Sequence, residues 1–188
     1  MKVISGKLKG RNISGYNIEG TRPTMDRVKE SIFSMIQNNI KDSIVLDLFS
    51  GSGTYGIEAI SNYARKVYFN DLNKECIKVI KKNLSNFNVL DESIIYNLDY
   101  LKCLNLLKDE KIKFDLIFLD PPYKMLVIHD ILKFINNNNL LNKNGLVVCE
   151  FRDDNLFDNY SSLVKIKERK YGDKKVFIYE MREKDEIK

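Results

Sequence analysis

Asp120-Pro121-Pro122-Tyr123 closes the apolar run Phe114 to Leu119 and sets an acid, two rigid residues and an aromatic ring in succession. The prolines stiffen the backbone and remove N–H donors, so a neighbouring carbonyl and the Asp120 carboxylate form a cluster of acceptors. Such a cluster suits the exocyclic amine of guanine or adenine. Two acceptors pulling on the amine hydrogens turn its ring-delocalised lone pair toward an incoming methyl group. Tyr123 then offers a face on which a base taken out of its stack can lie. Asp120, Pro121, Pro122 and Tyr123 are therefore the expected catalytic residues.

A second constellation, Asp47-Leu48-Phe49-Ser50-Gly51-Ser52-Gly53-Thr54-Tyr55-Gly56, ends one apolar run and opens a helical one. Glycines at these spacings allow a tight turn and close approach to a ligand, and the helix start offers free N–H groups. A pyrophosphate would be repelled by Asp47, whereas a cofactor carrying an ammonium and a sulfonium would be attracted. The expected cofactor is S-adenosylmethionine, with Asp47, Phe49, Gly51 and Gly53 in its loop. About twenty residues further on, Asp71 follows Asn70 and is placed to accept hydrogen bonds from both ribose hydroxyls. Asp99 and Tyr100 are expected to hold the adenine amine and cover its ring, a role compatible with Asp99 acting as a helix N-cap.

These residues must be delivered by regular elements. Val28, Ile32, Phe33, Met35 and Ile36 recur at helical spacing and predict a helix over about 25–38, capped by Thr24. Strand and helix signals then alternate. Strands are expected at 44–48, 67–70, 94–96, 114–119 and 146–150, with helices at about 55–62, 74–86, 100–108 and 126–136. Such alternation implies right-handed βαβ units and a parallel sheet covered on both faces. Residues 163–170 and 175–181 flank a turn and read as a closing β-hairpin. Short β-like pieces around Gly6, Gly10, Gly15 and Gly20, with Lys2, Lys7, Lys9 and Arg11, predict a basic hairpin arm over residues 1–22 rather than core.

The chain has 188 residues, 44% hydrophobic and 30% charged, as expected for one α/β domain with a core of its own. No apolar run reaches the roughly 18 residues of a membrane span, and the N-terminus lacks a secretory core, so a cytoplasmic location is expected. Three cysteines and a single histidine exclude a disulfide framework and argue against a metal centre or any mechanism needing an imidazole. A net charge of +5 is a modest pointer to a polyanionic partner.

Three segments carry a resemblance: Val3-Ile4-Ser5-Gly6-Lys7-Leu8-Lys9-Gly10-Arg11, Thr21-Arg22-Pro23-Thr24-Met25-Asp26-Arg27-Val28-Lys29-Glu30-Ser31-Ile32-Phe33, and Leu46 to Gly56 together with Asp120 to Tyr123. On them the chain resembles, almost end to end, the bacterial small-subunit ribosomal RNA guanine-N2 methyltransferases, within the wider Asp/Asn-Pro-Pro-Tyr/Phe amino-methyltransferases. The resemblance implies a Rossmann-like S-adenosylmethionine-dependent methyltransferase fold, a seven-stranded, mostly parallel sheet with an antiparallel last strand, plus the N-terminal β-hairpin arm. It implies that Asp71 takes the ribose, Asp99 the adenine, and Asp120 with Tyr123 the target base. The chain departs from the family at Tyr55, where Leu or Met is usual, and at Asn62-Tyr63, where Arg-Gly is common.

The expected organisation is one methyltransferase domain over 1–188, with the arm at 1–22 and the catalytic core at 23–188. The expected activity is methylation of guanine N2 in ribosomal RNA, free or in a partly assembled small subunit; the sequence leaves the oligomeric state open, with a monomer favoured. Lys7, Lys9, Arg11 and Arg22 are the expected RNA contacts. Two other readings share features of the sequence: a DNA adenine-N6 methyltransferase, which would need a groove-reading element, and a non-catalytic RNA-binding module of ribosome assembly.

Overall fold

The computed structural model describes residues 1–15, 23–122, 124–152 and 155–183, with the side chains of 23–25 left aside. Its elements follow the predicted alternation: α1 (Pro23–Ile36), β1 (Ile44–Asp47), α2 (Thr54–Ser61), β2 (Lys66–Asn70), α3 (Lys74–Asn86), β3 (Ser93–Tyr96), α4 (Tyr100–Asp109), β4 (Phe114–Leu119), α5 (Ile128–Asn137) and β5 (Leu141–Phe151). The chain closes with β6 (Asn159–Tyr160), β7 (Leu163–Tyr171) and β8 (Lys174–Met181). Thr24, the expected cap of α1, has no described side chain; the helix begins at Pro23, whose fixed φ suits a first helical position.

The sheet has the order β3-β2-β1-β4-β5-β8-β7-β6. β1 to β5 are mutually parallel, and β8, β7 and β6 add antiparallel. Eight strands replace the expected seven, because Asn159 and Tyr160 pair with Val164 and Leu163 at the far edge. So short an edge piece carries no periodicity to read. The core lies on both faces of the sheet. Along β4, Leu116 and Phe118 meet the cluster containing Val28, Ile32, Ile57, Ile60, Ile80 and Leu84 of α1 to α3. Ile117 and Leu119 point the other way, to Cys103, Leu104, Leu107, Ile131, Leu132 and Ile135 of α4 and α5. A strand buried on both faces needs the unbroken apolar run that the sequence supplies.

Within the expected arm, residues 1–13 do pair antiparallel, Lys2 bridging Asn12 around a 3-10 turn at Gly6–Leu8, but they are core rather than a free arm, with Val3, Leu8 and Ile13 buried, while 16–22 lie outside the described residues. The anchor of this segment is Glu58 of α2, fully buried, whose carboxylate accepts hydrogen bonds from Ser5 N at 2.8 Å and Ile4 N at 3.0 Å. The same carboxylate pairs with Lys29 of α1 at 3.1 Å. Two charges taken out of water require this satisfaction, and here they tie three segments together. No helix among the described residues is long and apolar enough to cross a membrane.

Candidate active site

In an open α/β sheet, ligands bind beyond the carboxyl ends of the strands where the strand order reverses. Here that point lies between β1 and β4, paired with Asp47 opposite Phe118, so the loops after Asp47 and Leu119 emerge side by side. A cavity of about 830 Å³ opens there, lined by Phe49, Gly51, Asp71, Asp99, Tyr100 and Asp120, among others.

The loop after β1 is built tightly. Gly56 must be glycine, because a Cβ would meet the Phe69 ring at 2.2 Å and push α2 off β2. Gly51 N donates to Asp71 Oδ2 at 2.8 Å, and Asn73 N donates to Asp71 Oδ1 at 2.8 Å. The Asp71 carboxylate is thereby fixed at the cavity wall at the end of β2. Asp99 caps α4, its Oδ1 accepting from Leu101 N at 2.9 Å. The Tyr100 and Phe49 rings lie 5.7 Å apart.

Two residues expected to meet the cofactor stand elsewhere. Asp47 does not line the cavity: it is 2% exposed, and its Oδ2 accepts from Gly56 N at 3.0 Å. Burial pushes its pKa up to about 7, against the Gly56 bond, so it acts as a clamp on the loop rather than as an exposed anion facing a cationic ligand. Gly53 likewise lies outside the lining; a Cβ there would face Ile57 and Ile80 at 3.3 Å, within the core.

Asp120 is half-buried in the cavity, followed by buried Pro121 and exposed Pro122. The register of β4 with β5, Leu119 opposite Cys149, carries Glu150 alongside Asp120. The antiparallel register of β5 with β8, Phe151 opposite Lys175, brings Lys174 to the same place. Lys174 Nζ donates to Glu150 Oε1 at 2.5 Å, and Tyr55 OH donates to Glu150 Oε2 at 2.6 Å. Burial raises the Asp120 pKa well above the usual carboxylate range, helped by Glu150 and Asp47 and opposed by the Lys174 ammonium. Glu150, Lys174 and Tyr55 escaped the sequence reading. The only trace was Tyr55 as a departure from Leu or Met.

Cys76, also in the lining, lies against Asp71, and burial with that carboxylate pushes its thiol up to about 12, which leaves it unreactive at neutral pH. His129 stands apart and bonds the Tyr160 hydroxyl at 2.9 Å, joining α5 to β6. Tyr123 and Arg22 lie outside the described residues. The other basic residues of the N-terminal segment are not brought to the cavity. Lys7 pairs with Glu92 at 2.6 Å, and Arg11 bonds Asn86 O at 2.8 Å with its guanidinium 4.7 Å from the Phe87 ring. Lys9 is exposed on the same segment.

The lining suits a nucleoside-bearing cofactor. A Cβ on Gly51 would meet no atom within 4 Å, so ligand atoms can approach the backbone there. Asp71 presents a fixed carboxylate to the cavity, and the Phe49 and Tyr100 rings present apolar surface to it.

Comparison with known proteins supports one assignment. The family model for conserved hypothetical protein 95 matches residues 1–180. Ribosomal RNA small subunit methyltransferase D of Haemophilus influenzae is 35% identical over 176 residues, covering 92% of this chain and 89% of the relative. Among solved structures, Escherichia coli yhhF superposes with a TM-score of 0.85 at 24% identity, over 97% of this chain and 98% of its own. An RNA methyltransferase of Salinibacter ruber, in complex with S-adenosyl-L-homocysteine, gives a TM-score of 0.65 at 15% identity, over 86% of this chain and 95% of its own. The fold is that of the α/β methyltransferases. With residues 1–180 matched by the family model, this chain belongs to the conserved hypothetical protein 95 family, alongside the relatives named ribosomal RNA small subunit methyltransferase D.

Proposed function

We propose that this protein transfers a methyl group from S-adenosylmethionine to the exocyclic N2 of a guanosine in small-subunit ribosomal RNA. The observation that carries the reading is the Asp120 carboxylate at the end of β4, followed by two prolines, in the cavity that also holds the Gly51 loop and Asp71. Family membership and the name of the Haemophilus influenzae relative support ribosomal RNA as the substrate.

Asp71 would hold the ribose hydroxyls, Phe49 and Tyr100 the purine, with Asp99 near its amine. The bound cofactor supplies an electrophilic methyl on a sulfonium. Asp120 and the carbonyl next to the prolines accept the two amine hydrogens and so direct the nitrogen lone pair. Asp120 then takes the proton that the methylated amine releases. Its raised pKa makes it a better proton acceptor than an ordinary carboxylate, while Lys174 opposes its neutralisation before transfer. Tyr123 follows Pro122 directly and would stack on the extruded base. Catalysis on this reading rests on positioning and electrostatics, and no imidazole takes part.

The test is transfer of labelled methyl from S-adenosylmethionine to ribosomal RNA and to small subunits from cells lacking this gene, followed by nucleoside analysis. N2-methylguanosine is the expected product. Methyladenosine, or cofactor binding without transfer to any RNA, would overturn the reading.

A further inference from the structure

We propose that the tip of the β7–β8 hairpin, with Lys170 and Lys175 on one face and Arg169 on the other, is the phosphate-binding surface that presents an RNA strand to the cavity. The proposal rests on the reading of this chain as an RNA methyltransferase and names where that substrate is held.

The first support is placement. β8 runs antiparallel to β5 with Phe151 opposite Lys175, so the hairpin tip lies at the carboxyl edge of the sheet, where the cavity opens. Lys174, at the start of β8, reaches into the cavity wall and bonds Glu150. The N-terminal basic residues lie at the other edge. Lys7 meets Glu92, the residue before β3, and Arg11 meets Asn86, the last of α3. From Glu92 to Tyr96 at the carboxyl end of β3 is four residue steps, about 13 Å at 3.3 Å per residue. A strand whose target base enters the cavity has its flanking phosphates at the hairpin tip, not at Lys7.

Charge is the second support. Residues 165–175 hold six basic side chains against Glu168 and Asp173. Lys165 pairs with Asp158 and Glu168, Lys167 bonds Met35 O at 2.9 Å, and Arg152 meets Asp173 at 3.0 Å. Arg169 and Lys170 are exposed, and Lys175 is half-buried beside the Phe151 ring. Lys170 and Lys175 stand directly opposite each other in the ladder. Like charges so placed destabilise a hairpin. A phosphate lying over the pair removes that repulsion.

The test compares two triple variants for binding to protein-free small-subunit ribosomal RNA across a salt series. One is Arg169→Gln/Lys170→Gln/Lys175→Gln, and the other is Lys7→Gln/Lys9→Gln/Arg11→Gln. If all three hairpin contacts are made, the hairpin variant should flatten the plot of log affinity against log salt by about two, at roughly 0.7 per phosphate contact on a single strand. The N-terminal variant should leave the slope near that of the wild type, and the cofactor dissociation constant should be unchanged in both. A wild-type slope in the hairpin variant, or flattening in the N-terminal variant instead, overturns the surface while methyl transfer by the wild type upholds the enzyme. A wild type that neither binds nor methylates this RNA overturns both. If the hairpin triple does not fold, Lys170→Gln alone carries the same test, with a slope change of about 0.7.

Discussion

Tyr55, in the first turn of α2, donates its hydroxyl to Glu150 on β5 at 2.6 Å while its ring stacks on Phe118 at 5.0 Å. One side chain thus packs against β4 and satisfies a carboxylate on the neighbouring strand, beside Asp120. Glu150 is 4% exposed and has both oxygens engaged, one by Tyr55 and one by Lys174. Replacing Tyr55 by Phe keeps the stack and removes one bond to a buried charge, so unfolding free energy should fall by about 1.5–3 kcal/mol. Urea denaturation measures it, and a change below about 0.5 kcal/mol would show that the Tyr55 bond contributes little to holding Glu150.

Asp71 is held by Gly51 N and Asn73 N, so its removal affects both ligand and loop. Asp71→Ala should weaken S-adenosylmethionine binding by about 1–3 kcal/mol, and Asp71→Asn, which retains an acceptor, by less. Titration calorimetry gives both values. An unchanged dissociation constant in Asp71→Ala removes this residue from the cofactor site.

Asp120→Ala should lower the methyl-transfer rate at least about a hundredfold with cofactor affinity nearly intact, since aligned acceptors act mainly in the transition state. The wild-type rate should also rise with pH through a midpoint well above the ordinary value of about 4, because burial and Glu150 favour protonated Asp120 and only the ionised form accepts both the hydrogen bond and the proton. Single-turnover rates across a pH series test this, and a flat profile above about pH 4.5 would exclude Asp120 as the titrating acceptor.

Asp47 predicts a pH-dependent stability. Its pKa is about 7 in the folded protein against 3.8 for the free group, so the folded state binds the extra proton between those values. Stability attributable to Asp47 therefore falls as pH rises from about 4 to about 7 and is flat beyond. Asp47→Asn keeps an acceptor for Gly56 N and abolishes the titration. It should stabilise the protein at pH 8 by at most about 4 kcal/mol, and by clearly less at pH 5. Equal effects at the two pH values would show that Asp47 ionises freely in the folded chain.

What the sequence determined by itself is the set of features that depend on near neighbours. The apolar run Phe114 to Leu119 and the signals around it placed β4, and the glycines at 51, 53 and 56 placed the loop into α2, since period and turn chemistry act over a few residues. Asp71, Asp99 and Asp120 follow strand ends, and a parallel sheet gathers such ends at one edge whatever its details. Boundaries were less legible: β5 begins at Leu141 rather than 146, where Leu141 joins the ladder opposite Phe114 ahead of a register shift. Only the tertiary structure decided which further residues join Asp120. Glu150 arrives through the register of β4 with β5, Lys174 through that of β5 with β8, and Tyr55 through the packing of α2 on Phe118, pairings across more than twenty residues that leave no local period. Burial, too, is a property of the assembled sheet. It turned Asp47 from an expected cofactor contact into a loop clamp, and it seated the expected arm on Glu58 with Lys7 and Arg11 at the edge away from the cavity.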